Sequence, residues 1–132
     1  MRAPLVPELY VSDLAGSLTF YRDLLEFDLL YERPQERFAY LARGGAEIML
    51  EEPVGRTWLS GPLERPYGRG ASFQIAVDDV EDLHARCAEA GATIFLAPET
   101  KRYARANDAV LVRQFIVADP DGYLLRFAQQ VG

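Results

Sequence analysis

Apolar and polar residues alternate along short stretches of the chain, and this alternation predicts β-strands. In the first stretch, Leu9 and Val11 share one face, while Val6, Glu8 and Tyr10 share the other. An apolar face is expected to pack against helices, whereas a face that carries a carboxylate and a phenol is too polar for a dry core. We therefore predict that Glu8 and Tyr10 line a cleft.

Three later strands repeat this division into an apolar face and a mixed face. Ile48, Ile75 and Phe127 represent the apolar faces, which we expect to be buried. The mixed faces carry Glu47, Met49 and Glu51 in the first of these strands, Ser72, Gln74 and Ala76 in the second, and Leu124, Arg126 and Ala128 in the third. These mixed faces are expected to continue the wall of the cleft.

Two other stretches have the spacing of helices. Their apolar stripes are Leu14, Leu18, Tyr21 and Leu25 in the first, and Val80, Leu83, Cys87 and Ala90 in the second. Asp13 and Asp79 stand directly before these stripes, where a short polar side chain can accept from the free N–H groups of a first helical turn. The sequence therefore predicts two helices, each with an aspartate as its N-cap.

The two halves of the chain resemble each other. Val11 and Asp13 correspond to Val77 and Asp79, and each half continues as strand, glycine turn and strand. This repeat predicts an α+β fold in which one domain, residues 1–132, holds two paired β-α-β-β-β modules with their helices outside the sheets. The modules are residues 1–53 and 71–132, and the proline- and glycine-rich residues 54–70 are predicted to be a linker with little regular structure.

The composition is that of an ordinary globular chain. Of its 132 residues, 49% are hydrophobic and 26% are charged, and no apolar run is long enough to span a membrane. The net charge of −6 disfavours nucleic acid as a partner. It would steer cationic small molecules towards the protein, or simply keep the protein soluble. With a single cysteine and an N-terminus that lacks an apolar signal region, we expect a cytoplasmic protein without a disulfide.

The candidate binding residues are carboxylates and aromatic rings. Glu8, Glu47 and Glu51 could serve in acid–base chemistry, bind a cationic ligand or pair with Arg126. The candidate stacking residues are Phe38, Tyr40, Trp58, Tyr67 and Tyr103. Trp58 is the favoured one because it lies in the linker, where no periodic pattern would bury it.

Four further residues have side chains that could bind or react with a ligand, but their positions either indicate a structural role or do not show which way they face. His84 and Cys87 fall on the second predicted helix, away from the sheet faces, and we interpret both as structural. Arg113 and Gln114 stand just before Phe115, where the alternation does not show which of them faces the cleft. The sequence leaves both as candidates for the cleft or its rim.

Three stretches resemble the vicinal oxygen chelate superfamily, which includes glyoxalase I, extradiol dioxygenases, fosfomycin-resistance transferases and bleomycin-resistance proteins. They are "YVSDLAGSLTFYRDLL", "FQIAVDDVEDLHARCAEAGA" and "VADPDGYLLRF". The resemblance covers nearly the whole chain. It implies that the sheets of the paired modules curve into a cup.

The resemblance also implies where a metal would be bound in the enzymes of the superfamily. The equivalent positions here are Val6, Met49, Ser72 and Arg126, and none of these side chains is an imidazole, carboxylate or thiolate ligand. We therefore expect no metal and no cofactor. The chain is most similar to the metal-free, bleomycin-resistance-like branch.

That branch implies a homodimer whose interface clefts sequester a flat, cationic small molecule such as bleomycin, without catalysis. The residues expected to bind this ligand are Glu8, Tyr10, Phe38, Tyr40, Glu47, Met49, Glu51, Trp58, Gln74, Tyr103 and Arg126.

Two alternatives remain open at the level of sequence. The first is a lyase, isomerase or oxygenase of the same fold that uses displaced ligands. Glu47 or Glu51 could replace one missing carboxylate, but His84 alone cannot replace two imidazoles. A metal-independent isomerase that uses a single glutamate also stays open. The second alternative is an accessory domain whose cup is filled by its own side chains.

Overall fold

A computed structural model describes residues 3–132, and the chain divides into two compact units. The boundary falls between Arg65 and Pro66, inside the segment that the sequence predicts as a linker. Residues 52–71 form neither helix nor strand. The organisation of both units as one domain, with module limits at residues 53 and 71, stays a prediction.

The first unit is one mixed sheet with one helical segment. Its strands are β1 (Glu8–Tyr10), β2 (Asp28–Arg33), β3 (Phe38–Arg43) and β4 (Ala46–Glu51), in the order β1-β4-β3-β2. β1 runs parallel to β4, and the other pairs are antiparallel. Helix α1 (Leu14–Leu18) continues as a π-helical segment (Thr19–Leu24), and a 3₁₀ turn (Pro34–Glu36) joins β2 to β3.

The second unit repeats this arrangement. Its elements are β5 (Ser72–Ala76), α2 (Val80–Glu89), β6 (Thr93–Ala104), β7 (Ala109–Ala118) and β8 (Leu124–Gln130). The strand order is β5-β8-β7-β6, again with only the first pair parallel. The predicted α+β fold with two β-α-β-β-β modules is therefore confirmed. In the described part of the chain, no helix has the length and apolarity needed to cross a membrane.

One face of each sheet is apolar and buried, as the alternation predicts. Leu9, Leu41 and Leu50 are at most 4% exposed in the first sheet. In the second unit α2 packs against β6, β7 and β8, where Phe115 and Phe127 are fully buried. Burial of these faces against the helical side leaves the mixed faces for other uses.

Only one of the two helices begins as predicted. Asp79 does cap α2, because its side chain accepts from the N–H of Asp82 at 3.0 Å. Asp13, in contrast, makes no capping hydrogen bond with its side chain. The N–H of Leu14 instead donates to Oε2 of Glu52 at 2.8 Å, so a carboxylate that follows β4 takes the role predicted for Asp13.

The second unit has an equivalent contact beside its own cap. Oε1 of Gln129 in β8 accepts from the N–H of Val80 at 3.0 Å. In each unit, then, a side chain at the end of the last strand binds the first N–H of the helix. This contact satisfies a donor that the helix itself cannot.

Replacing Glu52 with alanine is expected to lower the free energy of unfolding by about 1–2 kcal/mol, because the Leu14 N–H loses its acceptor. The same N–H and the Arg37 guanidinium, 2.8 Å from Oε1, lower the pKa of Glu52. A lowered pKa means that this stabilisation is complete above the unfolded pKa of about 4.3 and is lost as the pH falls through the folded value. Urea unfolding of the wild type and of Glu52→Ala, at about pH 7 and at about pH 4, should show a smaller difference in unfolding free energy at the lower pH.

The matched control is Arg37→Ala, which removes the exposed ion pair but keeps the cap. Its cost should be below about 1 kcal/mol. Equal losses for the two variants would assign the stabilisation to the ion pair and contradict the role of Glu52 as a cap.

The turn before β8 is held by its own aspartate. Oδ1 of Asp119 accepts from the N–H groups of Asp121 and Tyr123, each at 2.9 Å, and the aspartate is only 5% exposed. Gly122 has a φ of +100°, and a Cβ at this position would lie 2.5 Å from Cβ of Pro66. Glycine is therefore required here both for the backbone conformation and for the close approach of the segment at Pro66.

Candidate functional site

The mixed face of the first sheet gathers the polar residues that the alternation places together. Glu8 pairs with Met49 and Tyr10 pairs with Glu51 across β1 and β4. Directly paired residues on neighbouring strands point to the same side of a sheet. Glu8, Tyr10, Met49 and Glu51 therefore share one face, opposite the buried leucines.

A cleft of about 570 Å³ opens over this face within the first unit. Its lining combines carboxylates, guanidinium groups and aromatic rings: Glu8, Glu36, Glu51, Arg33, Arg56, Tyr10 and Trp58. Four of these, Glu8, Tyr10, Glu51 and Trp58, are among the residues that the sequence predicts to bind a ligand. Their role as ligand contacts stays a prediction, but the structure brings them into one cavity.

Trp58 presents an open ring to this cleft. The residue is 72% exposed, and the guanidinium of Arg56 lies 5.4 Å from the ring centroid. The backbone N–H of Trp58 donates to the hydroxyl of Tyr10 at 2.8 Å, which ties this loop to β1. The ring is thus accessible while its backbone is held.

The charges in the cleft are unevenly compensated. Arg33 forms an ion pair with Glu36 and lies over the ring of Phe38. Within residues 3–132, neither Glu8 nor Glu51 forms an ion pair. Burial raises the pKa of Glu51, the nearby carboxylates of Glu8 and Glu36 raise it further, and Arg33 offsets part of the effect. The cleft therefore contains a carboxylate that would be stabilised by a cation.

Three predicted ligand residues on the same sheet are covered, which corrects the prediction. Phe38, Tyr40 and Glu47 are only 1%, 3% and 7% exposed. The hydroxyl of Tyr40 donates to Oε1 of Glu47 at 2.7 Å, and the ring of Tyr31 stacks on Tyr40 with centroids 5.1 Å apart. A ligand cannot stack on Phe38 or Tyr40 at these positions, and Glu47 is bonded within the protein.

The residues that cover them come from β2. Tyr31 pairs with Tyr40, and Arg33 pairs with Phe38, so both side chains of β2 project onto the mixed face. Tyr31 is 49% exposed and is the accessible ring of this aromatic cluster. The two-residue spacing of Tyr31 and Arg33 in "DLLYER" was the sequence signal that could have placed both on the mixed face. A register shift between Leu29 and Tyr31 obscures it, because it interrupts the alternation with the preceding leucines.

The second sheet has its own polar face. Gln74 pairs with Arg126, and Nη2 of Arg126 donates to Oε1 of Gln74 at 2.6 Å. Nε2 of Gln114 donates to the Tyr103 hydroxyl at 2.7 Å and to Oε2 of Glu99 at 2.9 Å. The predicted ligand residues Gln74, Tyr103 and Arg126 thus belong to the second unit.

The facing of Arg113 and Gln114, which the alternation left open, is resolved by their partners. Gln114 is 3% exposed and shares its face with Glu99. Arg113 donates to Glu81 of α2 at 2.5 Å, so it lies on the helix side. Only the register of β7 with its neighbours shows which face each of the two residues lies on, and no local sequence signal does so.

His84 and Cys87 lie on α2, as predicted. The ring of His84 packs edge-on against Phe115 with centroids 5.3 Å apart. Cys87 is fully buried, and burial raises its pKa to about 11, so the thiolate that a nucleophile requires is disfavoured. Neither residue lies in the cleft of the first unit.

The positions that correspond to metal ligands are divided between the units. Val6 and Met49 lie in the first unit, and Ser72 and Arg126 lie in the second. Across residues 3–132, no three histidine, cysteine, aspartate or glutamate side chains are grouped so that they could hold a metal ion. The donor chemistry at these positions does not match that of a divalent metal site.

Comparison with known proteins identifies relatives along almost the whole chain. The family described as "Glyoxalase/Bleomycin resistance protein/Dioxygenase superfamily" matches residues 5–127. A bleomycin resistance protein of Geobacillus stearothermophilus is 31% identical, with 96% of each chain covered. A bleomycin resistance protein of Staphylococcus aureus matches equally well.

Solved structures show the same fold. TioX from Micromonospora sp. ML1 is 25% identical with a TM-score of 0.72, and the alignment covers 98% of this chain and 99% of TioX. Virulence protein STM3117 from Salmonella typhimurium, 22% identical, also has a TM-score of 0.72, with 99% and 98% covered. With the family match and the curated relatives, this similarity establishes that the chain belongs to the glyoxalase/bleomycin resistance protein/dioxygenase superfamily.

Proposed function

We propose that this protein is a binding protein of the bleomycin-resistance type, which sequesters a flat, cationic small molecule without a metal, a cofactor or turnover. The observation that carries the proposal is the cleft of the first unit, where the open ring of Trp58 stands beside Glu8 and Glu51. Its relatives named bleomycin resistance proteins support the choice of ligand class.

The chemistry of the cleft suits such a ligand in two ways. Trp58 is 72% exposed, and its indole offers an apolar, electron-rich face to a planar ring or a cation. Glu8 and Glu51 supply negative charge that the protein does not neutralise with an ion pair among residues 3–132. The net charge of −6 would speed the encounter with a cation.

An open cleft also distinguishes this proposal from the accessory-domain alternative. A volume of about 570 Å³ is within the range of small-molecule sites. A domain filled by its own side chains would leave no such space over the mixed face of the first sheet.

The proposal includes a homodimer in the cytoplasm. Large apolar side chains remain exposed on the chain, among them Leu5 at 80% and Val131 at 50%, and a second copy would offer them cover. Light scattering after size exclusion would test the proposed homodimer. A monomer at micromolar concentration would contradict the homodimer but would leave the proposal of ligand binding in the cleft unchanged.

Titration calorimetry with metal-free and copper-loaded bleomycin tests the function directly. The protein's own metal content is assayed first. Binding at a micromolar or lower Kd, with about one ligand per chain and no bound metal, is the expected result. Mass spectrometry after prolonged incubation should recover bleomycin unchanged.

Three outcomes would count against the proposal. No binding would remove bleomycin as the ligand. A stoichiometric metal would return the enzyme alternative to first place, and a chemically altered ligand would show turnover. A panel of other planar cations, measured by quenching of the single tryptophan, would then show whether the cleft still takes the broader class.

Glu51 should make both ligand affinity and stability depend on pH. Because its pKa is raised, the protonated form favours the folded state, and this contribution is lost as the pH rises through the raised value. A cationic ligand favours the ionised form, so its affinity should increase over the same interval. Calorimetric titrations between about pH 4.5 and about pH 8, the range in which a carboxyl group with a raised pKa ionises, would measure the change in affinity.

Glu51→Gln should remove most of that pH dependence and weaken cation binding about threefold to tenfold at neutral pH. It should also stabilise the free protein at neutral pH, since the unfavourable ionised form is gone. Glu32→Gln is the matched control, because Glu32 pairs with the buried Ala39 and points away from the cleft. A pH profile unchanged by Glu51→Gln would exclude this residue as the titrating group.

A further inference from the structure

Arg56 lies over the indole ring on which the proposed ligand would stack. The Cζ atom of its guanidinium is 5.4 Å from the centroid of the Trp58 ring, within the distance at which an aromatic face attracts a cation. Both residues line the cleft of the first unit. Although Trp58 is exposed, the protein therefore already places a cation of its own on this ring.

Carboxylates line the same cleft, but Arg56 does not pair with them. Among residues 3–132 it forms no ion pair with Glu8, Glu51 or any other acidic side chain. The arginine whose charge opposes the rise in the pKa of Glu51 is Arg33, and Arg56 has no such effect. The guanidinium of Arg56 thus lies apart from the carboxylates and has the ring as its partner.

The other arginine of the cleft is held far more firmly. Arg33 lies 3.8 Å from the ring centroid of the buried Phe38, and it also forms an ion pair with Glu36. Arg56 is farther from its ring and has no ion pair among the described residues, and both Arg56 and Trp58 are exposed. The contact of Arg56 is therefore the weaker one and the one that a ligand can replace.

The backbone around Arg56 lets its side chain move away while the indole stays in place. Gly55, directly before it, has a φ of +70°, and a Cβ there would meet nothing within 4 Å, so this part of the loop stands in open space. The backbone N–H of Trp58, in contrast, is bound to the hydroxyl of Tyr10 at 2.8 Å. A ligand can thus exchange with Arg56 without loss of the anchor that holds the ring.

We propose that Arg56 is an internal competitor for the Trp58 ring, an autoinhibitory contact that a ligand must displace. The inference rests on the proposed binding function of this cleft and adds a control on its affinity. When a binding surface is free for only a fraction of the time, the apparent affinity of its ligand falls by that fraction. An exposed contact between a cation and a ring would lower the affinity about twofold to fivefold.

This competition favours ligands that carry a charge as well as a ring. A neutral aromatic molecule removes the cation from the indole and gains nothing from Glu8 and Glu51 in return. A flat cation also removes Arg56, but its charge is attracted by both carboxylates. The internal contact therefore keeps ordinary apolar rings from occupying the cleft.

Nuclear magnetic resonance tests the occupied ring directly. The free protein should show nuclear Overhauser contacts between the side chain of Arg56 and the indole protons of Trp58. Saturation with N-methylquinolinium, a flat molecule with a permanent positive charge, should remove them. The absence of these contacts from the free protein would overturn the inference. Contacts that persist in the saturated complex would also overturn it, because ligand and arginine would then share the ring.

Arg56→Gln tests the competition with two probes of one shape, N-methylquinolinium and the neutral quinoline. The variant should bind both about twofold to fivefold more tightly than the wild type, as followed by chemical-shift titration. Quinoline is the decisive probe, since the loss of a merely repelling charge would help the cation alone. A gain for N-methylquinolinium alone, or weaker binding of either probe, would contradict the internal competitor.

Arg22→Gln is the matched control, because it removes the same charge from the same unit. Arg22 is an exposed residue of the π-helical segment and does not line the cleft. Its replacement should leave both affinities within about twofold of the wild type. Equal gains in the two variants would assign the effect to net charge and overturn the inference.

Bleomycin separates this inference from the proposed function. If bleomycin does not bind but Arg56→Gln still gains affinity for quinoline, the ligand of the proposed function is wrong and the internal competitor stands. If bleomycin binds the wild type and Arg56→Gln with equal affinity, the function stands and the competitor is overturned. If none of the probes binds either protein, both are overturned, because removal of Arg56 has opened no site.

Discussion

Gly122→Ala is expected to lower the free energy of unfolding by about 2–4 kcal/mol, from the strain of a positive φ and the overlap of a new methyl group with its neighbours. The added Cβ would lie 2.5 Å from Cβ and 2.8 Å from Cα of Pro66. Neither atom is the far end of a flexible side chain, so the segment at Pro66 must move. Urea unfolding followed by circular dichroism would measure the loss.

Gly91→Ala separates the two causes. Gly91 also has a positive φ, +75°, but a Cβ there would meet nothing within 4 Å. This control should cost only about 1 kcal/mol, the strain alone. If both variants lost the same free energy, the packing of Pro66 against the turn would contribute nothing.

Trp58→Ala is expected to weaken the binding of a planar cationic ligand about tenfold to a hundredfold, the range of an aromatic hot spot. The hydrogen bond from the backbone N–H of residue 58 to the hydroxyl of Tyr10 does not depend on the indole, so the loop keeps its anchor. The free energy of unfolding should change little, because Trp58 is 72% exposed. Calorimetry with bleomycin, or with the planar cation that binds best, gives the measurement.

Phe95→Ala is the matched control for Trp58→Ala. Phe95 is another exposed aromatic residue, 64% accessible, but it lies in β6 of the second unit. Its removal should leave the affinity within about twofold, as expected for residues outside the contact. A similar loss in both variants would indicate non-specific adsorption to aromatic surface, and no loss in either would remove Trp58 from the site.

Much of the fold could be read from the sequence because alternation and helical spacing are local. Strands with one apolar face need only their own residues to reveal which side is buried, and Leu9 and Leu50 illustrate this. The repeat of the pattern then showed that the halves are built alike. The same local reasoning placed Glu8, Tyr10 and Glu51 on one face, and the register of β1 with β4 agrees.

The errors arose where a distant residue decides the local outcome. Asp13 has the right type and position for a cap, but Glu52 reaches the same N–H from beyond β4. Nothing within the helix sequence reports a competitor so far along the chain.

Burial of the predicted stacking residues has a similar origin. Phe38 and Tyr40 are covered by Arg33 and Tyr31, which requires the pairing of β2 with β3 across an irregular register. The exposure of a single aromatic residue depends on its neighbours in space, and the pattern of residues along the chain does not show which residues these are. Trp58 was the simpler case, because a segment without regular structure has no strand beside it to supply a cover.

The hydrogen bond from the start of each helix to a residue at the last strand of its unit bears on the evolutionary origin of the chain. Glu52 binds the start of α1 and Gln129 binds the start of α2, each inside its own unit. Each half therefore completes its helix with a residue that it carries itself. An ancestral gene that encoded one such half could be copied and joined end to end without any new residue being needed to finish either helix, after which the two copies were free to diverge in the chemistry of their open faces.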